Sequence, residues 1–457
     1  MRERYVLLGL ARARAGWFDS LGRWATSAAL PVEFVRCVSA EELRARLRSG
    51  RAFSAAIVAA DVRGLDRDLV AEAAEAGCAV LVVDDPTGGR DWRAIGAAAV
   101  LAPVFSRDEL LEVLTAHAST VGPATVPDEP EEPAAEPEGG ALVAVTGPGG
   151  TGASTVAMAL AQGLALGRGT PGAGRRPAAR GRTGRRGAGV GSPTPTVLLA
   201  DLCRAADQAM LHDARAVVPG LQEVVEAHRV GVPSVAELRD QTFEVPARGY
   251  RLLVGLRQHR HWVVLRPRAV EATLASLRRL ADVTVADVDA DVEGEAETGS
   301  ADVADRNLLA RATMMRARVV VVVGEPSTKG LHALVRTLGE LLAFGVPGER
   351  CLPVLNLAPR GPRARAERTR ALADLLAATA GEDARRVSSP LYLPARRVEG
   401  AVRDGAELPA PLPTLTARAV TGMLERVGDR RLERIAPQRV VPGSLQGFTA
   451  QDGGSPP

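Results

Sequence analysis

ALVAVTGPGGTGASTVAMALAQGLA, residues 141–165, is the stretch whose reading decides the fold. Ala141–Val145 is a short apolar run of the kind a buried strand carries. GPGGTG then places glycine at 147, 149, 150 and 152, and from Ser154 onward helix-forming residues recur with apolar spacing. Strand, glycine loop and helix is the order of a phosphate-binding P-loop. Backbone N–H groups converge on a phosphate only where no Cβ intrudes, and the following helix N-terminus adds partial positive charge. Against the general pattern GxxxxGK[ST], Gly147, Gly152 and Ser154 fit, whereas position 153 is alanine.

That alanine shapes the chemistry. A P-loop lysine sets a point charge against the β- and γ-phosphates, and Ala153 offers only its backbone N–H. The chain holds a single lysine, Lys329, among 57 basic residues, so ordinary lysine positions here have become arginine. Position 153 became small and neutral instead.

PGGTGAST, residues 148–155, resembles the deviant Walker A motif KGGxGK[ST][ST] of the MinD/ParA superfamily, with Pro148 and Ala153 standing where that family has its two lysines. A P-loop ending G-A-S-T behind a receiver-like first domain resembles the CpaE/TadZ branch, which includes the septum-site-determining (Ssd) proteins. The resemblance covers residues 1–120 and 141–425. It implies ATP and Mg²⁺ as cofactors, held by Gly149, Gly150, Thr151, Gly152, Ala153, Ser154 and Thr155, with Ser154 on the metal. It further implies a homodimer acting with polar, pilus-assembly or division-site proteins.

Residues 4–120 alternate short apolar runs with helical patterns. Strands are expected at Tyr5–Leu10, Val32–Cys37, Ala55–Ala59, Ala79–Val83 and Ala99–Val104, and helices at Ala40–Arg48, Leu65–Ala76 and Arg107–Ala116. This predicts a flavodoxin-like doubly wound sheet, similar to response-regulator receivers. An active receiver gathers carboxylates around its phosphoacceptor and a lysine after its fifth strand. Here only Asp61 stands in such a place, so a pseudo-receiver used for docking is expected.

Residues 121–140 are proline-rich and acidic and read as an extended linker. The second domain, 141–430, is expected to be a MinD/ParA-like P-loop NTPase domain with a mostly parallel sheet, so the fold class is α/β throughout. Within it, residues 167–196 carry seven arginines and no acid, a low-complexity insertion that cannot build a core. Contact with an anionic membrane surface or nucleic acid is one reading of it, and a solvated insertion is the other. Residues 431–457 read as a flexible tail.

Further along, the strand Val197–Ala200 ends at Asp201, and the strand Val283–Ala286 ends at Asp287. The resemblance makes Asp201 the first carboxylate of a D-x-D whose second place is taken by Cys203. It makes Asp287 the Walker B carboxylate, so Ser154, Asp201 and Asp287 are the candidate Mg²⁺ residues and Asp201 the one candidate catalytic group. Asn356, in VLNLAPR, matches the family asparagine that contacts adenine. Asp287, Asp289 and Asp291 invite a calcium reading, but Val292 stands where an EF-hand needs glycine and Thr298 where it needs glutamate.

The composition excludes other classes. Hydrophobic residues make up 46%, yet no apolar run approaches the roughly 20 residues of a membrane span. The N-terminus lacks a secretory pattern, and Cys37, Cys78, Cys203 and Cys351 show no paired spacing, so a cytoplasmic protein with reduced thiols is expected, recruited to a pole, septum or inner membrane face. The net charge of +3 does not by itself call for nucleic acid. The reading is a MinD-like spatial regulator of septum placement or Flp/Tad pilus assembly, with weak ATPase activity or none. A slow ATPase activated by a partner and a ParA-like DNA-partitioning protein stay open as alternatives.

Overall fold

The structure is a computed structural model that describes residues 4–12, 15–26, 30–84, 90–121, 139–167, 195–379 and 383–427. Nearly all of the proline-rich linker and of the arginine-rich insertion, and the tail expected beyond residue 430, lie outside the described residues.

The first unit is a sheet of β1 (Tyr5–Leu10), β2 (Val32–Cys37), β3 (Ala55–Ala59), β4 (Ala79–Val83) and β5 (Ala99–Leu101) in the order β2-β1-β3-β4-β5. Every pairing is parallel, and the order is the flavodoxin-like one. β1 and β3 are buried along their whole length, which explains their unbroken apolar sequence. β5 stops at Leu101, short of the expected Val104, because Pro103 can donate no ladder hydrogen bond.

The helix Gly16–Thr26 is one the sequence pattern did not signal. Glycines at 16 and 22 weaken it as an isolated helix, and it forms because Trp17 and Leu21, one turn apart, bury against the sheet.

The second unit holds eight strands: β6 (Ala141–Thr146), β7 (Val197–Asp201), β8 (Phe243–Val245), β9 (Tyr250–Leu253), β10 (Val283–Asp287), β11 (Val319–Gly324), β12 (Cys351–Ala358) and β13 (Leu391–Pro394). Their order is β13-β12-β11-β6-β10-β7-β9-β8, parallel except for the edge hairpin β8-β9. Two apolar layers cover the sheet. One contains the helices Pro267–Leu280 and Thr328–Ala343, and the other contains Ala153–Ala165 and Leu412–Val427. The fold is therefore α/β in both units, with mostly parallel sheets.

The units meet through the helix Arg67–Glu75, which packs on Leu221–Val230 and Pro267–Leu280. Arg67 donates from Nε to the His228 carbonyl at 3.0 Å and from Nη2 to the Gly231 carbonyl at 3.2 Å. Buried Asp66 accepts from Arg229 at 2.9 Å, and Asp68 accepts from the Arg268 N–H at 3.0 Å.

Candidate functional site: the P-loop and its carboxylates

β6 lies between β10 and β11, so the glycine loop leaves the middle of the sheet at its C-terminal edge. A Cβ at Gly147 would collide with the Val323 carbonyl of the neighbouring strand. Gly150 and Gly152 have φ of +84° and +83°, a left-handed backbone that suits glycine. Space is open around Gly149 and Gly150. Thr151 turns its hydroxyl back to the Pro148 carbonyl at 2.8 Å, closing the loop on itself.

No side-chain hydrogen bond caps the helix that starts at Ala153. Its first amide groups therefore retain their donors for an anion, and with the open glycines they form a cradle suited to phosphate. Ala153 packs partly against the core, and Ser154 and Thr155 occupy the first turn beside it. Asn356 is closer to the loop than its position in sequence suggests. Its amide donates to the Thr151 carbonyl at 2.9 Å, and its Oδ1 accepts from the Leu357 N–H at 2.9 Å. The group that the resemblance assigns to adenine also braces the loop in this structure.

Two carboxylates stand beside this cradle. β7 and β10 pair in parallel with Asp201 opposite Asp287, so the strand register alone sets the two acids side by side. Asp201 is fully buried and accepts from the Cys203 N–H at 3.2 Å and the Gln208 N–H at 2.8 Å. Asp287 is 2% exposed and accepts from Gln208 Nε2 at 2.6 Å, with the Ser154 hydroxyl also hydrogen bonded to it. Burial pushes the Asp201 carboxyl well above the usual carboxylate range, with the charge of Asp287 adding to it. Burial likewise raises Asp287, to about 6. Gly255 makes room for the arrangement, since a Cβ there would press on Asp201.

The structure thus brings Ser154, Asp201 and Asp287 together, with the Gly149–Thr155 loop and Asn356 around them. Gln208 is the residue the sequence reading missed. It ties Asp201, Asp287 and, through a 3.2 Å bond to its carbonyl, Ser154. Its only sequence signal is its place seven residues after a strand-end aspartate. The later acids do not build a calcium loop: Asp289 accepts from the Arg204 N–H, and Asp291 accepts from Asn307 and Arg306. Asp61 pairs with Arg12 at 3.4 Å on the surface of the first unit. Among the described residues, no helix is long and apolar enough to cross a membrane.

No family model and no curated protein matches the sequence. The solved structures similar to it include P-loop ATPases of the MinD and ParA kind. A plasmid partition protein of Borrelia burgdorferi bound to AMPPNP is 10% identical, with 63% of this chain and 99% of that one covered at a TM-score of 0.41. The septum-site-determining protein MinD of Pyrococcus horikoshii, complexed with Mg-ADP, is 18% identical, covering 64% and 99% at 0.42. A chain of the MinC:MinD cell division protein complex of Aquifex aeolicus is 15% identical, covering 62% and 96% at 0.41.

Proposed function

We propose that this chain is a MinD/ParA-type spatial regulator of the CpaE/TadZ/Ssd kind, serving septum placement or Flp/Tad pilus assembly through a P-loop switch that binds nucleotide and hydrolyses it slowly or not at all. The observation that carries this reading is the uncapped glycine cradle at Gly149–Ser154 lying against Ser154 and the buried carboxylates Asp287 and Asp201. Two buried carboxylates with no cation partner are suited to a divalent metal, and the helix amides are suited to a phosphate. Ser154, Asp201 and Asp287 would hold Mg²⁺, whose charge would neutralise the phosphates. Gln208 keeps both carboxylates in place, and Asn356 keeps the loop in its phosphate-binding shape.

The absent lysines set the rate. Losing one charged contact to a transferring phosphoryl group costs several kcal/mol, or roughly a thousandfold. Neither Pro148 nor Ala153 supplies that charge. The protein is then a dimer whose placement depends on the first unit and on polar, pilus or division-site partners at the inner membrane face. Support for a DNA-partitioning role is confined to the arginine-rich insertion.

Calorimetric titration of Mg-ATP and Mg-ADP into the full chain, with sedimentation to follow dimerisation, tests the reading. Binding with ATP-dependent dimerisation is expected. No binding at millimolar nucleotide would overturn the switch and leave a scaffold. Hydrolysis well above background, lost in Asp201→Ala and Asp287→Ala, would instead favour a slow, partner-activated ATPase.

A further inference from the structure

Cys203 occupies the place where the resemblance expects a second carboxylate, and its thiol faces the same cluster. The carboxylate oxygens of Asp201 and Asp287 and Cys203 Sγ all lie within 4.8 Å of one another, the only grouping of three metal-ligating side chains among the described residues. A tetrahedral zinc ion with bonds of roughly 2.0–2.3 Å separates its ligand atoms by about 3.5 Å, so a contraction of no more than about 1.3 Å would close the set. Independent of these three, Gln208 Oε1 is fully buried and has no hydrogen-bond partner, although the Nε2 of the same amide sits on Asp287. A buried carbonyl oxygen without a donor beside two carboxylates and a thiol lacks a positive partner, and a cation or its bound water supplies one.

We propose that Asp201, Cys203 and Asp287 form a binding site for a thiophilic divalent cation of the Zn²⁺ class, with Gln208 Oε1 completing it directly or through bound water. The thiolate is the deciding ligand. Magnesium takes hard oxygen donors in octahedral geometry, whereas one sulfur among two carboxylates favours zinc, and cobalt as its spectroscopic substitute. As the metal–sulfur bond forms, the thiol proton leaves to solvent, so binding strengthens with rising pH. This refines the cation that the proposed function places at Asp201 and Asp287. It stands without nucleotide, because the titrations use metal alone, and loss of ATP binding and loss of zinc binding are separate results.

The test is titration of the chelator-stripped full chain with Zn²⁺, Co²⁺ and Mg²⁺. One equivalent of Co²⁺ is expected to give a near-ultraviolet thiolate-to-cobalt band that Zn²⁺ displaces. Cys203→Ser should abolish the band and weaken Zn²⁺ binding on the order of a hundredfold. Cys203→Asp should shift preference toward Mg²⁺ and Mn²⁺. Cys37, Cys78 and Cys351 are buried elsewhere in the hydrophobic cores and serve as internal controls. Should Cys203→Ser fail to fold, protection of the wild-type Cys203 peptide from alkylation by Zn²⁺ gives the same answer. Absence of the cobalt band in the wild type, Zn²⁺ binding indifferent to Cys203→Ser, or unprotected Cys203 would each overturn the proposal.

Discussion

At the scale of the residue, the loop is governed by how closely Asn356 approaches Gly152. A Cβ at Gly152 would lie 2.7 Å from Asn356 Nδ2, and the backbone there has φ of +83°. Gly152→Ala should therefore cost about 1–2 kcal/mol and loosen the bond from Asn356 to Thr151, read by urea unfolding and by weakened nucleotide binding. The buried acids make an opposite prediction. Asp287 titrates near 6 in the fold and near its ordinary value of 3.8 when unfolded, so between these values the native state holds more protons. Stability that this group provides at acid pH is lost as pH rises from about 4 to 6. In the presence of chelator, Asp287→Asn should flatten that fall and stabilise the protein above pH 6, while weakening divalent-cation binding. A wild-type stability that climbs from pH 4 to 6 no less steeply than that of the variant would contradict this. The cradle glycines and both aspartates were legible in the sequence because their spacing and strand-end positions are local. Gln208 was not, since its role depends on the side-by-side placement of β7 and β10.

At the scale of the element, the P-loop helix Ala153–Ala165 is held by the last helix, Leu412–Val427. Gly163 permits the approach, because a Cβ there would strike the Pro413 carbonyl. Gln162, wholly buried, pairs with both the N–H and the carbonyl of Leu408. Gly163→Ala should cost about 1–3 kcal/mol by overpacking, visible as a lowered urea midpoint with the denaturant slope unchanged. Arg248, likewise buried, donates to the carbonyls of Ala406 and Ala401 and so fastens the segment before that helix. Local pattern found the P-loop strand and helix and the strands that lead to Asp201 and Asp287. It did not single out Pro267–Leu280, although Val270, Leu274 and Leu277 recur there at helical spacing, or Pro362–Thr379, where arginines interrupt the apolar rhythm. The first forms because its face from Ala269 to Leu280 buries on the sheet, and the second is secured by Leu372 and Leu376.

At the scale of the molecule, the helix Arg67–Glu75 of the first unit packs on two helices of the second. The paired donors of Arg67 satisfy carbonyls at the C-terminal end of Leu221–Val230, and Arg229 answers Asp66. That second-unit helix comes next in the chain after the short helix Gln208–Leu211, so the docked surface and the carboxylate cluster share one stretch of chain. Arg67→Ala combined with Arg229→Ala should remove about 1–3 kcal/mol of docking and speed proteolysis between the units, leaving the Asp201–Asp287 cluster itself intact. Cleavage at the wild-type rate would show that the apolar contact alone holds them. Deleting residues 168–190 should leave the unfolding transition in place; a loss of liposome or DNA binding that depends on salt would assign the insertion a surface to contact.

The sequence by itself determined the strand, glycine loop and helix of the P-loop, the two-unit α/β character and the absence of lysine at positions 148 and 153. Each of these is written in residues close together along the chain, where periodicity and steric freedom act. Only the tertiary structure decided that Asp201 and Asp287 stand opposite each other, that Cys203 joins them, that Gln208 bridges them and that Asn356 braces the loop. Those facts depend on strand order and register, which are set by burial between segments as much as two hundred residues apart.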